Sequence, residues 1–150
     1  MEHPEEYPKA AMSATVCVYH QPTKNFLLIR RGRDPFKGEL AFPGGFLDAY
    51  KENIYQTAVR ELREETGMSI VVGYLTLLDI RSNPDRDPRD HVIDVGFLVI
   101  DDGPLDNIKA DDDADEIVWV DKGRIGHTPL AFDHKLILAA AKVKMALMGC

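Results

Sequence analysis

Three carboxylates crowd one short stretch of this chain, Arg60-Glu61-Leu62-Arg63-Glu64-Glu65-Thr66-Gly67. At about 100° per residue, a helix through it puts Glu61, Glu64 and Glu65 within roughly 100° of one another. Tyr55, Ala58, Val59, Leu62 and Thr66 fill the adjoining sector, so one side of the helix is core and the other acid. Like charges three and four apart repel by roughly a few tenths of a kcal/mol per pair on an exposed helix, and by more where they are partly buried. Arg60 and Arg63 offer part of the compensation and a divalent cation offers the rest. A donor set made only of oxygen selects Mg²⁺ or Mn²⁺ over zinc.

An acidic cluster alone is more often a solvated helix face, and here the flanks decide against that reading. Phe42-Pro43-Gly44-Gly45-Phe46 precedes the helix, and its glycines let the backbone bend sharply and come close to a ligand. Glu52 lies eight residues ahead of Arg60, and Gly67 stands at the position that ends many helices.

The spacing Glu52-x7-Arg60-Glu61-Leu62-x-Glu64-Glu65-x-Gly67 resembles the Nudix box of the Nudix hydrolases. Two positions depart from it. Six residues separate Gly45 from Glu52 where the pattern has five, which enlarges the loop by one residue, and Met68 stands where a branched aliphatic is usual. The resemblance covers essentially the whole chain. It implies cleavage of a diphosphate linked to another moiety, typically a nucleoside, with one or more divalent metals. Position by position, it implies Glu64 and Glu65 as metal ligands, Glu61 as a further ligand or the base for water, and the Gly44 carbonyl as an extra ligand. Arg60 is expected to orient the glutamates through a salt bridge, and Glu52 to support the helix start or the outer metal shell. A further acid is expected from Asp111, Asp112, Asp113, Asp115 or Glu116; Glu116, directly ahead of Ile117-Val118-Trp119-Val120, is the best fixed by its context.

The elements that must position these groups follow from pattern. Ala14 to His20 and Phe26 to Arg31 read as strands of a hairpin around Gln21-Pro22-Thr23-Lys24-Asn25. Glu39 to Phe42 reads as a short strand into the glycine loop, and Ile70 to Ile80, His91 to Ile100 and Glu116 to Val120 as further strands. Phe132 to Met148 reads as a terminal helix. Strands alternating with a middle and a terminal helix point to an α/β/α sandwich around a mixed sheet, the same fold the resemblance implies. No repeat or linker marks a second domain, so residues 1–150 are expected to form one.

The net charge of −7 argues against a general nucleic-acid binder. It leaves room for a small phosphorylated substrate, because metal and a few arginines invert the local field. The two cysteines, Cys17 and Cys150, are far apart and fit reduced thiols in a cytoplasmic compartment. The start, MEHPEEYPKAAM, is acidic and twice interrupted by proline, unlike a signal or transit peptide. No apolar run approaches membrane-spanning length.

Three segments narrow the substrate. Arg30-Arg31-Gly32-Arg33-Asp34-Pro35-Phe36-Lys37-Gly38, Pro84-Asp85-Arg86-Asp87-Pro88-Arg89 and Leu130-Ala131-Phe132-Asp133-His134 together resemble the ADP-ribose pyrophosphatase branch. That resemblance implies hydrolysis of ADP-ribose to AMP and ribose 5-phosphate. Arg30, Arg33, Arg86 and Arg89 offer charge-assisted contacts to phosphates or a terminal sugar, and Phe36 or Phe132 offers a stacking surface for adenine. The plainer alternatives are a charge-balanced turn at 85–89, a core role for Phe132 and a capping or packing role for His134. Rival functions are hydrolysis of a nucleoside triphosphate, oxidised nucleotide, dinucleotide or capped 5′ end, and a ligand-sensing regulator. Some regulators that resemble this branch bind ADP-ribose and carry a winged helix after the domain, and none is expected in this sequence, which ends at Cys150. A homodimer is expected from some family relatives and has no direct signal in the sequence.

Overall fold

In the computed structural model, residues 7–109 and 114–150 are described. The long apolar run at the start forms β1 (Ala11–His20), buried from Ala14 onward. Burial on both faces is what a continuous apolar strand at the centre of a sheet requires. A turn over Gln21 to Lys24 returns the chain as β2 (Asn25–Arg31), the expected hairpin. Then come β3 (Leu40–Ala41), β4 (Gly44–Phe46), α1 (Ile54–Thr66), β5 (Thr76–Arg81), β6 (Val92–Asp101), β7 (Ala114–Asp121) and α2 (His134–Leu147). The sheet runs β3-β2-β1-β6-β5, with β4 also paired to β1 and β7 to β2. The β1–β6 pair is parallel and the remaining pairs are antiparallel, so the sheet is mixed.

Alternation along β1 divides the core. Ala14, Val16 and Val18 pack with Leu27, Phe97, Val99 and with Ala58 and Leu62 of α1. Cys17 and Tyr19 pack with Phe26, Leu28, Leu98 and with Ile137, Leu138, Ala141 and Met145 of α2. One helix therefore covers each face, and the layers are the expected α/β/α sandwich. Met68 is buried in the α1-side cluster, where it fills the place of the usual branched aliphatic.

Helix α1 is delimited by its own sequence. The Asn53 side chain accepts from the Gln56 amide and the Gln56 side chain accepts from the Asn53 amide, both at 2.9 Å, a reciprocal capping box. Gly67 ends it at φ 75°, donating to the Arg63 carbonyl at 2.8 Å. A Cβ at Gly67 would also lie 2.6 Å from the Asn107 carbonyl oxygen, so side-chain bulk is excluded twice.

Two expectations need correction. Glu39 to Phe42 is a strand only at Leu40–Ala41, and Pro43, which carries no N–H, lies between it and a further short strand, β4. The glycine segment is a strand edge rather than a free loop, with Gly44, Gly45 and Phe46 opposite Thr15, Ala14 and Ser13. Ile70 to Ile80 is a strand only from Thr76; Val72–Tyr74 is a single 3₁₀ turn, and β6 offers partners only to Thr76 through Arg81. No helix among the described residues is long and apolar enough to cross a membrane.

Candidate active site

Pairing of β4 with β1 carries the two glycines under α1. A Cβ at Gly44 would stand 2.3 Å from the Ala14 carbonyl oxygen, and one at Gly45 would stand 2.3 Å from Cδ of Glu61 and 2.5–2.6 Å from its oxygens. The Glu61 carboxylate thus lies directly against bare backbone, a position only glycine leaves open. The extra loop residue is accommodated before the helix, where Lys51 N–H donates to the Asp48 carbonyl at 3.2 Å and Tyr50 takes φ 69°.

Arg60 gathers the acids. Its Nε and Nη2 donate to Glu52 at 3.0 and 2.7 Å, Nη1 donates to Glu61 at 2.8 Å and Glu64 at 3.1 Å, and Nη2 reaches the Phe46 carbonyl at 3.0 Å. Glu52 also accepts from the Asp48 amide and the Thr57 hydroxyl, both at 2.9 Å. The Arg60 hydrogen bonds, more than any other contact, hold its carboxyl down at about 2. Glu52 thus anchors Arg60 and the loop, and does not line the main cavity.

The remaining acids are left wanting charge. Burial raises Glu61 above the usual carboxylate range against the pull of Arg60. Burial, then the neighbouring Glu61, pushes Glu65 up to about 8 despite a hydrogen bond from the Gly44 backbone and the fields of Arg31 and Arg33. One Glu65 oxygen, Oε2, is buried with no hydrogen-bond partner. An all-oxygen set with an orphaned buried carboxylate oxygen fits a hard divalent cation. Among the described residues no three acids yet converge on one point; half-exposed Glu64, held by Arg60, would have to turn inward to complete the set.

Across a cavity of about 530 Å³ from these acids stands a wall of guanidinium groups and rings, with Arg30, Arg31, Arg33, Arg86, Arg89, Phe46 and Phe132 all lining it. Their commitments differ. Arg33 makes no hydrogen bond or ion pair among the described residues and is crowded by Arg31. Arg30 donates to Glu116 at 2.5 Å and to the Gly38 carbonyl at 2.9 Å. Glu116 is thereby placed beside Arg30 and off the cavity lining, while Asp111, Asp112 and Asp113 lie outside the described residues. Arg86 grips Asp133 with two bonds of 2.8 and 2.9 Å, and its side chain is only 4% exposed. Phe36 is not on the lining; its ring meets Phe132 edge-on at 4.7 Å.

Sequence reasoning missed the floor of the cavity. Asp94, 1% exposed, accepts from the hydroxyls of Ser13 (2.5 Å) and Thr15 (2.9 Å) and pairs with Arg81. Arg81 also donates to Asp133 at 2.7 Å. Asp133 is therefore spent on Arg81 and Arg86 and makes no side-chain cap for α2. His134, next along, accepts the Phe42 amide on Nδ1 at 3.1 Å. Burial, with Arg81 close by, depresses its imidazole to about 3, so it is a neutral acceptor that fixes the entry to β4. The available signal was Asp94 itself, an acid inside the apolar run Val92-Ile93-Asp94-Val95.

Comparison with known proteins agrees with this geometry. The NUDIX domain model matches residues 9–141. The chain is 43% identical over 112 residues to an ADP-ribose pyrophosphatase of Methanocaldococcus jannaschii, covering 75% of this chain and 62% of that protein. It is 30% identical over 147 residues to the ADPR responsive transcriptional repressor NtrR of Acinetobacter baylyi, covering 93% and 56%. The chain thus spans less than two thirds of the length of either relative. The solved NUDIX domain of Shewanella oneidensis NrtR, complexed with ADP ribose, superposes with a TM-score of 0.81 at 25% identity, covering 96% of this chain and 94% of that one. With one family model matching residues 9–141, nearly the whole chain, this protein belongs to the NUDIX family.

Proposed function

We propose that the chain is a metal-dependent pyrophosphohydrolase whose substrate is ADP-ribose, cleaved to AMP and ribose 5-phosphate. The carrying observation is that the acids of α1 and a group of guanidinium side chains line one cavity of about 530 Å³, within the range of about 300–1,000 Å³ typical of small-ligand sites. Hydrolysis of a diphosphate needs cationic charge near both the attacking water and the departing phosphate oxygen. Similarity to an ADP-ribose pyrophosphatase and to an ADP-ribose-bound NUDIX domain supports the choice of substrate.

Glu61, Glu64 and Glu65, with the Gly44 carbonyl, would hold Mg²⁺ or Mn²⁺. Bound there, the ion would supply Lewis-acid stabilisation of phosphoryl charge and a more acidic water. The chain's own contributions can be assigned to atoms. Glu61, pressed against Gly45 and raised by burial, accepts the proton of the attacking water. Arg60 holds Glu61 and Glu64 in register and is itself anchored on Glu52. Arg33, without a hydrogen-bond or ion-pair partner among the described residues, meets the phosphates, and Phe132 offers a ring to the base. Burial of the Asp94 network beneath β4 keeps the strand, and hence Gly44 and Gly45, from shifting as charge enters.

A panel of ADP-ribose, NADH, nucleoside triphosphates and diadenosine polyphosphates, assayed with Mg²⁺ by chromatographic product analysis, tests the assignment. AMP and ribose 5-phosphate from ADP-ribose, at a rate well above the others, are expected; preference for a triphosphate would overturn the substrate choice. The two NtrR/NrtR relatives favour a second reading, a regulator that binds ADP-ribose without turnover. Saturable ADP-ribose binding with no product would establish that reading instead.

A further inference from the structure

Arg89 does not reach the acids of α1. Its Cζ stands over the Phe46 ring at 4.7 Å and over the Phe132 ring at 5.4 Å from the ring centroids. Asp87, whose side chain is 2% exposed, tethers it through Nε at 3.0 Å and Nη2 at 2.8 Å. The Phe46 backbone and the Phe132 ring are held in place from elsewhere. Phe46 ends β4, in register with Ser13 of β1, and is still 39% exposed. Phe132 takes φ 53°, and its ring is fixed by Phe36 at 4.7 Å and by Arg31 Cζ at 4.8 Å. A bulky residue in the left-handed region persists only where its surroundings over-determine it, most often at a binding or catalytic site.

A guanidinium is planar, stacks on aromatic faces and is as thin as a nucleobase, which stacks on the same faces. The space Arg89 takes beside the two rings is therefore of the right shape for a base. Arg89 and Arg33 both crowd Arg31 with positive charge, so an anion arriving nearby relieves repulsion and favours Arg89 leaving the rings.

We propose that Phe46 and Phe132 are the walls of a nucleobase slot that Arg89 fills in the absence of ligand, and that the base enters by displacing Arg89, whose guanidinium then meets the phosphates. The inference rests on the nucleotide reading above and adds an orientation to it: the base sits between β4 and the start of α2, and the diphosphate points toward α1.

Base and phosphate are tested separately, with adenosine and inorganic pyrophosphate as probes, by NMR titration of wild type, Phe46→Ala and Arg89→Ala. Phe46→Ala should weaken adenosine roughly 5- to 100-fold, the loss of one base–aromatic stack, and leave pyrophosphate unchanged. Arg89→Ala should move the two probes in opposite directions, tightening adenosine and weakening pyrophosphate. Arg89→Ala leaves Asp87 only the residue-89 amide of its three hydrogen bonds from that residue, so the thermal transition of Arg89→Ala is compared with wild type, and Phe46→Ala tests the slot by itself if Arg89→Ala is unfolded. Adenosine unaffected by Phe46→Ala, adenosine weakened by Arg89→Ala in a folded protein, or no saturable adenosine binding by wild type would each overturn the slot. Hydrolysis of ADP-ribose by the same wild-type sample would show that the slot alone had failed and the proposed function had not.

Discussion

Replacing Glu52 by Gln removes one charge and almost no volume. Three of the four hydrogen bonds that Glu52 accepts, from the Asp48 amide, the Thr57 hydroxyl and Arg60 Nη2, converge on Oε1; the fourth, from Arg60 Nε, goes to Oε2. A Gln oxygen can keep the first three. Its amide then faces Arg60 Nε, donor against donor, so one charge-assisted bond is lost outright and another is weakened. Hydrogen bonds to charged groups are worth about 1.5–3 kcal/mol, and the surface discount is small because the Glu52 and Arg60 side chains are 11% and 25% exposed. The variant should lose about 1.5–3 kcal/mol in urea unfolding at pH 7, which for a domain of this size lowers Tm by roughly 3–12 °C. Linkage fixes the sign with pH. The folded carboxyl is held at about 2 against an ordinary 4.5, so its contribution is present above pH 4.5 and is lost as pH falls toward 2. The gap between wild type and variant should be flat from pH 7 to 5 and shrink from pH 4.5 to 3. Turnover should fall roughly 10- to 100-fold, as for other residues that orient ligands from behind. A gap below about 0.5 kcal/mol, or one that does not change between pH 5 and 3, would refute the anchoring of Arg60 by Glu52.

Gly45→Ala places a methyl group 2.3 Å from Cδ of Glu61; the side chain can retreat where backbone could not, so activity should collapse while the Tm moves little, read by parallel kinetics and thermal melts. Leu62→Ala, at a fully buried position packed beneath the acidic face, should cost about 2–5 kcal/mol in chemical denaturation, and no loss of stability would contradict the packing of α1. For His134, the unfolded imidazole binds a proton below about 6.5 and the folded one only near 3, so acid favours unfolding. His134→Gln should be less stable than wild type at pH 7, and the difference should narrow as pH falls to 4; a constant difference would mean that the imidazole is not held neutral.

What the sequence made legible is what lies within one helical turn or one loop. The face shared by Glu61, Glu64 and Glu65 and the stop at Gly67 are set by spacings of a few residues, which helical geometry converts directly into position; that Glu52 pairs with Arg60 was not read from the sequence, which placed Glu52 only at the helix start or the outer metal shell. Partners far apart in the chain were not legible. Asp94 meets Ser13 from 81 residues away, Glu116 meets Arg30 from 86, and His134 meets Phe42 from 92. Those contacts depend on β6 lying parallel to β1, on β7 pairing with β2 and on α2 starting beside β3, which no local pattern encodes. Phe46 was visible only as a neighbour of the glycines. Its place opposite Ser13 and against Arg89 appears only once β4 is recognised as a strand.

The central claim is that the carboxylate face of α1 hydrolyses ADP-ribose. Its most direct test is ADP-ribose turnover, with Mg²⁺ and chromatographic detection of products, by wild type and Glu64→Gln proteins matched for Tm. Glu64 is half-exposed, so the substitution should leave the fold intact. AMP and ribose 5-phosphate are expected from wild type, with a rate lower by roughly 10²–10⁴-fold in the variant. Equal turnover by the two proteins, or none by wild type, would contradict it.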